Sequence, residues 1–195
     1  MTLRLVLASA PVTVQERYGQ FAGVGSTQPS FGLLCLAAVA RRAGHGVRVV
    51  DASADNLGSA EAVKAILDFN PHVVGLSATT AGIMACGELA QSLKKTKPDL
   101  LVIIGGCHVS AIPEETLAEF TAFDIAVLGE GELTLLDLLD RHQSGGIPPA
   151  NLPGTAVRGS EGSIRRNPPR DLIMDMDSLP LPAWDLLPGF PGVYS

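Results

Sequence analysis

Short apolar runs alternate with amphipathic stretches along the first part of this chain. Leu3–Ser9 (LRLVLAS) is apolar almost throughout and reads as a buried strand. Val47–Asp51, His72–Ser77, Leu101–Ile104 and Ile125–Leu128 repeat that pattern. Helical spacing fills the intervals at Ser30–Ala43, Ser59–Phe69, Thr80–Lys95, Pro113–Phe120 and Gly131–His142. Ser30 caps the first of these helices and Gly44 stops it. Pro71 blocks continuation of the second, and Pro113 suits the first turn of the fourth. Strands this short and apolar belong in a sheet covered on both faces. Alternating strands and helices predict an α/β fold: a doubly wound, five-stranded parallel sheet with right-handed crossovers. Analogy with such folds gives the flavodoxin-like (Rossmann-like) order 2-1-3-4-5.

Two stretches break the pattern. Ala10–Pro29 is a long connection rich in Gly, Ser, Thr and Gln, and connections of this length are usually functional or disordered. From Gln143 onward the composition shifts to Gly and Pro. Gly154–Arg158 and Ser163–Arg166, separated by Gly159–Gly162, predict a small hairpin. Pro168–Ser195 is a Pro-rich strap that holds the only tryptophan, Trp184. The chain therefore divides into a domain over 1–142 and a linker, hairpin and strap over 143–195.

Composition narrows the picture. Hydrophobic residues make up 46% and aromatics 5%, so the core must be aliphatic. The net charge of −6, without a basic stripe, argues against nucleic acid as a partner. Arg165, Arg166 and Arg170 read as a solvated surface. Cys35, Cys86 and Cys107 share no metal-like spacing, and the first two read as core thiols. So sparse and odd a count suits a reducing cytoplasm, and the N-terminus has no signal-peptide pattern. The apolar runs are too short to span a bilayer.

Open parallel sheets bind ligands beyond the carboxyl ends of their strands. There this sequence places the loop 10–29, Ser77-Ala78-Thr79-Thr80, Gly105-Gly106-Cys107-His108-Val109-Ser110, and Leu128 followed by Gly129-Glu130-Gly131-Glu132. Glycines let a flat, bulky ligand approach the backbone. The hydroxyls of Ser77, Thr79 and Thr80 sit before a helix and suit a phosphate or an amide. Glu130 and Glu132 can accept hydrogen bonds from an amide-rich edge. Each feature also has an ordinary reading: a tight turn, a helix cap, a structural histidine at His108. The functional reading rests on all of them falling on one edge of the sheet.

These pieces resemble the cobalamin-binding domain that precedes the radical domain in cobalamin-dependent radical S-adenosylmethionine enzymes of the class B methylase type. The matching segments are Pro29–Ala38, Gly44-His45, Val49-Val50-Asp51, Pro71–Ser77, Gly105–Ser110, Gly129–Glu132, Asn167-Pro168-Pro169-Arg170 and Asp177–Asp185. The resemblance implies cobalamin as cofactor, with the nucleotide tail in a cleft lined by Ser77, Thr79, Gly105 and Gly106. Gly129–Glu132 would border the corrin edge and Cys107–Val109 would lie beneath the ring, with Ala78, Thr80 and Leu128 completing the set. Cobalamin domains of the methionine synthase and mutase type carry Asp-x-His-x-x-Gly upstream of a Ser-x-Leu/Thr element. Here Ser30–Cys35 occupies that place, with Gly32 where the histidine would stand. The cobalt would then lack a protein imidazole, be held base-off, and reach Co(I), a strong nucleophile toward a methyl group.

The Cys-x-x-x-Cys-x-x-Cys triad of the radical family is absent. S-adenosylmethionine and a 4Fe-4S cluster are therefore expected only in a longer parent methyltransferase, with the radical domain C-terminal to this chain. No residue here is expected to be catalytic or to ligate a metal. Two alternatives stay open: a scaffold domain of the same fold that binds no cobalamin, and a flavin- or nucleotide-binding flavodoxin-like module. Strand 1 lacks a Gly-x-Gly-x-x-Gly turn, which disfavours dinucleotides, and no acidic cluster follows it, which disfavours a receiver domain.

Overall fold

A computed structural model describes residues 2–146, 151–159, 162–187 and 189–194. The parallel strands are β1 (Arg4–Ser9), β2 (Gly46–Val50), β3 (Val73–Ser77), β4 (Leu101–Gly105) and β5 (Ile125–Val127). Two further strands follow, β6 (Thr155–Arg158) and β7 (Ile164–Arg166). The sheet order is β2-β1-β3-β4-β5-β6-β7.

The expected order of the parallel strands therefore holds, but the sheet has seven strands, not five. The hairpin is not an appendage. It pairs antiparallel with the edge of β5 through Ile125↔Val157, Ala126↔Ala156 and Val127↔Thr155. Left bare, β5 would present unpaired backbone groups to solvent, and adding the hairpin moves that edge outward to the exposed Arg165 and Arg166.

Side-chain alternation along the strands feeds two cores. Val6 and Ala8 face one side, where α3 (Ser59–Leu67), α4 (Ile83–Thr96), α5 (Cys107–Ala111) and α6 (Pro113–Glu119) pack. Leu5 and Leu7 face the other, against α2 (Phe31–Arg42) and α7 (Glu132–Gln143). Each such leucine contributes about 1.5–3 kcal/mol through burial.

The long connection after β1 is ordered locally. It contains α1 (Val14–Tyr18) and a 3-10 turn over Gly19–Val24. Thr13 and Glu16 form a capping box at the start of α1. Cys86 is fully buried, and burial pushes its thiol pKa up to about 12. Cys35, expected in the core, is only half-buried.

The strap wraps the α2/α7 face. Its basic start is not wholly solvated. Arg170 pairs with Asp137 and donates to Thr134 Oγ1 at 2.9 Å. Further on, Arg42 donates to the Ser178 carbonyl, Ala183 N–H to the Leu34 carbonyl, and Arg41 forms a two-pronged pair with Asp185. Among the described residues, no helix is long and apolar enough to cross a membrane.

Candidate cofactor site

The parallel register aligns Ser9 with Ser77 and Ser77 with Gly105, so the carboxyl ends of β1, β3 and β4 form an even row. Two adjoining cavities open along it. The wider, about 460 Å³, lies over the loops after β1, β2 and β3 and over Gly106 and Cys107. The narrower, about 240 Å³, descends on the α2/α7 side between Leu7, Leu36, Ile103, Val127 and Leu135. Gly32, Leu33, Ser77 and Gly106 line both.

Missing side chains create this space. At Gly75 a Cβ would stand 2.7 Å from Leu7 Cδ2, in the wall of the narrow cavity. At Gly32, in the first turn of α2, a Cβ would meet nothing within 4 Å. Gly106 turns the chain after β4 at φ +104°, where a Cβ would lie 2.5 Å from the Ala78 carbonyl oxygen. That close approach brings the loops after β3 and β4 together, helped by an Ala78 N–H bond to the Gly105 carbonyl at 3.0 Å.

The residues singled out from sequence divide into two groups. Ser77, Ala78, Thr79, Gly106 and Cys107 line the wide cavity, while Ser77, Gly105, Gly106, Gly129, Glu130, Gly131 and Glu132 line the narrow one. Thr80, His108, Val109 and Leu128 line neither. Val109 is wholly buried and Leu128 nearly so, and both belong to the α3/α4 core. They support the loops from below, because α5 turns Val109 inward. Thr80 Oγ1 sits 3.2 Å from His108 Nδ1, joining the two loops beside the cavity. Ser110 Oγ accepts from Gly129 N–H at 3.0 Å and ties the β4 loop to the β5 loop. Glu130 accepts from Ile173 N–H at 2.7 Å, which fastens the strap to the rim.

Sequence reading missed the walls contributed by α2 and α7, and Ser9, Asp51 and Ser53 of the wide cavity, whereas Arg17 and Gln28 belong to the 10–29 loop expected at this edge. Leu36 and Leu135 look like any core leucine in sequence. Asp51 carried a signal, as a carboxylate closing an apolar strand. No histidine lines either cavity, and among the described residues no cluster of His, Cys, Asp or Glu could hold a metal ion. A further cavity of about 490 Å³ lies at the opposite, amino end of the sheet around Lys94, Asp124 and His142. It is remote from these loops.

A glycine-lined slot beside a broad, mixed-polarity cavity, at the carboxyl edge of a doubly wound sheet, has the shape for a flat macrocycle with a dangling arm. The family model for the B12 binding domain matches residues 21–139, more than half of the chain. The chain belongs to the B12 binding domain family. It is 37% identical over 165 residues to an uncharacterized methyltransferase of Pyrococcus horikoshii, PH0819, covering 85% of this chain and 35% of that protein. It is 28% identical over 140 residues to the anaerobic magnesium-protoporphyrin IX monomethyl ester cyclase of Rubrivivax gelatinosus, covering 71% of this chain and 25% of that one. The chain thus spans about a third or less of these relatives. The fold matches OxsB, a cobalamin-dependent S-adenosylmethionine radical enzyme solved with aqua-cobalamin and S-adenosylmethionine, at a TM-score of 0.77 and 17% identity. That match covers 95% of this chain and 24% of OxsB. It also matches the radical S-adenosylmethionine methyltransferase TsrM of Kitasatospora setae at a TM-score of 0.68 and 20% identity, over 86% of this chain and 30% of TsrM.

Proposed function

We propose that this chain holds cobalamin base-off and presents it to a radical S-adenosylmethionine domain of a methyltransferase. The observation that carries the reading is the pair of joined cavities on the sheet edge of a B12 binding domain. In this reading residues 1–142 carry the cofactor, and 143–195 brace it and lead toward the radical domain. The narrow cavity takes the nucleotide tail, with Ser77, Gly105 and Gly106 at its mouth and Gly129–Glu132 along its rim. The corrin lies over Thr79, Gly106 and Cys107, and Gly32, whose missing side chain leaves open space, lets the start of α2 approach it closely.

Bound cobalamin supplies a cobalt able to accept and give up a methyl group. The protein's share is to seat the ring, sequester the tail and keep imidazole away from cobalt. The narrow cavity supports the base-off assignment, because it gives the nucleotide tail a place away from the ring. S-adenosylmethionine and a 4Fe-4S cluster belong to the partner domain in this reading.

The test is titration of the purified protein with hydroxocobalamin, followed by gel filtration and by electron paramagnetic resonance after reduction to the cob(II) state. Co-elution with loss of nitrogen superhyperfine splitting is the expected outcome. An unchanged cobalamin spectrum without co-elution would leave a non-binding scaffold. Retained nitrogen splitting would overturn base-off binding alone.

A further inference from the structure

Asp51 is a buried carboxylate, 3% exposed, at the end of the wide cavity farthest from the Gly129–Glu132 rim. Ionised carboxylates are expensive to bury without compensation. Among the described residues, no lysine or arginine pairs with it. Its partners are neutral donors. Ser9 Oγ donates to Oδ1 at 2.8 Å, while Ser30 N–H and the Tyr194 hydroxyl each donate to Oδ2 at 3.2 Å. A carboxylate offers about four acceptor positions, two on each oxygen. These bonds fill Oδ2 and leave one position on Oδ1.

Two neighbouring hydroxyls, those of Ser9 and Ser53, have already spent their protons. Ser9 Oγ donates to Asp51 itself, and Ser53 Oγ donates to the Ala10 and Val12 carbonyls at 3.1 and 3.2 Å. This end of the cavity therefore presents acceptors, and its natural occupant is an N–H donor. Arg17 and Gln28 line the same cavity and carry donors suited to a carbonyl oxygen. Acceptors facing donors across one cavity match a primary amide. The corrin periphery bears such groups, as propionamide and acetamide arms.

We infer that Asp51 is a positioning residue for the cofactor: its Oδ1 accepts an N–H from one propionamide arm of the corrin and fixes the ring's rotation over the sheet edge. This rests on the proposed binding of cobalamin. It adds a contact just past the end of the edge strand β2, outside the loops assigned to the ring and tail.

The experiment measures dissociation constants of the wild-type protein for hydroxocobalamin and for its monocarboxylate derivatives, each with one propionamide converted to propionate. One derivative would then face Asp51 with a second carboxylate. It should bind about tenfold or more weakly than hydroxocobalamin, as expected for a lost bond to a charged group plus repulsion. The other derivatives should lie within about twofold of hydroxocobalamin. Asp51→Asn should erase the penalty, since its amide donates to the propionate. Tyr194→Phe, which keeps the carboxylate, should retain it. A derivative series that binds wild type uniformly overturns the inference, as does a penalty that persists in Asp51→Asn. Should Asp51→Asn fail to fold, Asp51→Ser, which also removes the charge, takes its place in the comparison. Failure of hydroxocobalamin itself to bind overturns this inference and the proposed function together. Binding of hydroxocobalamin with an indifferent series overturns this inference alone.

Discussion

Gly106 and Gly32 do opposite things with the same missing side chain. At Gly106 the backbone is left-handed and a Cβ would collide with the Ala78 backbone, which cannot yield as a flexible side chain would. Gly106→Ala should therefore cost about 3 kcal/mol of folding stability, read as a lower urea midpoint at unchanged slope. Gly32 lies in the first turn of α2 with open space in front of it, on the wall shared by both cavities. Leucine is the better helix former by about 0.8 kcal/mol, so Gly32→Leu should leave stability level or raised. The new side chain would fill the passage between ring and tail, and hydroxocobalamin binding should fall by about tenfold or more. A variant that loses stability and binding together would mean that Gly32 serves the fold and not the cofactor.

The strap is the element whose role depends most on particular side chains. Arg170 reaches α7, where Thr134 is fully buried and its hydroxyl accepts the Arg170 Nε–H. Removing the guanidinium leaves that hydroxyl and Asp137 without this partner, so Arg170→Ala should cost about 1–3 kcal/mol. Asp185→Ala, which breaks a pair whose side chains are 45% and 65% exposed, should lower the urea midpoint far less. Comparing the two urea midpoints checks the ranking. Legibility also varied by element. The parallel strands were readable because both faces are covered, which leaves continuous apolar runs such as Val102–Ile104. The hairpin was readable from Gly159–Gly162, but its place on the β5 edge was not, because pairing across the sequence leaves no local trace. Helix α5 was hidden because its five residues, Cys107–Ala111, carry no periodicity. Helix α1 had a legible signal, Thr13 followed by Glu16 at the capping-box spacing, that composition obscured. In the site, glycine-rich strand ends stood out, while the α2 and α7 walls come from residues that sequence cannot tell from core.

Two titrations at the amino end of the sheet and one ligand at its carboxyl end act on the whole molecule. His72 Nδ1 accepts the Arg4 N–H at 2.9 Å, so the folded state needs that nitrogen unprotonated. Burial first, then the charges of Arg4, Lys97 and His142, hold the His72 pKa below its ordinary value, and burial does the same for His142. Between the lowered folded pKa and the ordinary value near 6.5, the unfolded chain binds more protons, so stability is lost as pH falls through that window. His72→Gln should flatten the decline in urea midpoint between about pH 7 and pH 5.5. The cofactor works from the other end, by mass action. A ligand that binds only the folded state at a hundred times its dissociation constant adds about 2.7 kcal/mol. For a domain of this size each kcal/mol is worth roughly 2–4 °C, so saturating hydroxocobalamin should raise the melting temperature by roughly 5–11 °C. The two effects are separable. His72→Gln should keep the full ligand-induced shift, since His72 lines neither cavity, and Gly32→Leu should lose about half of it or more. A ligand-induced shift in Gly32→Leu equal to that of the wild type would place cobalamin somewhere other than the joined cavities.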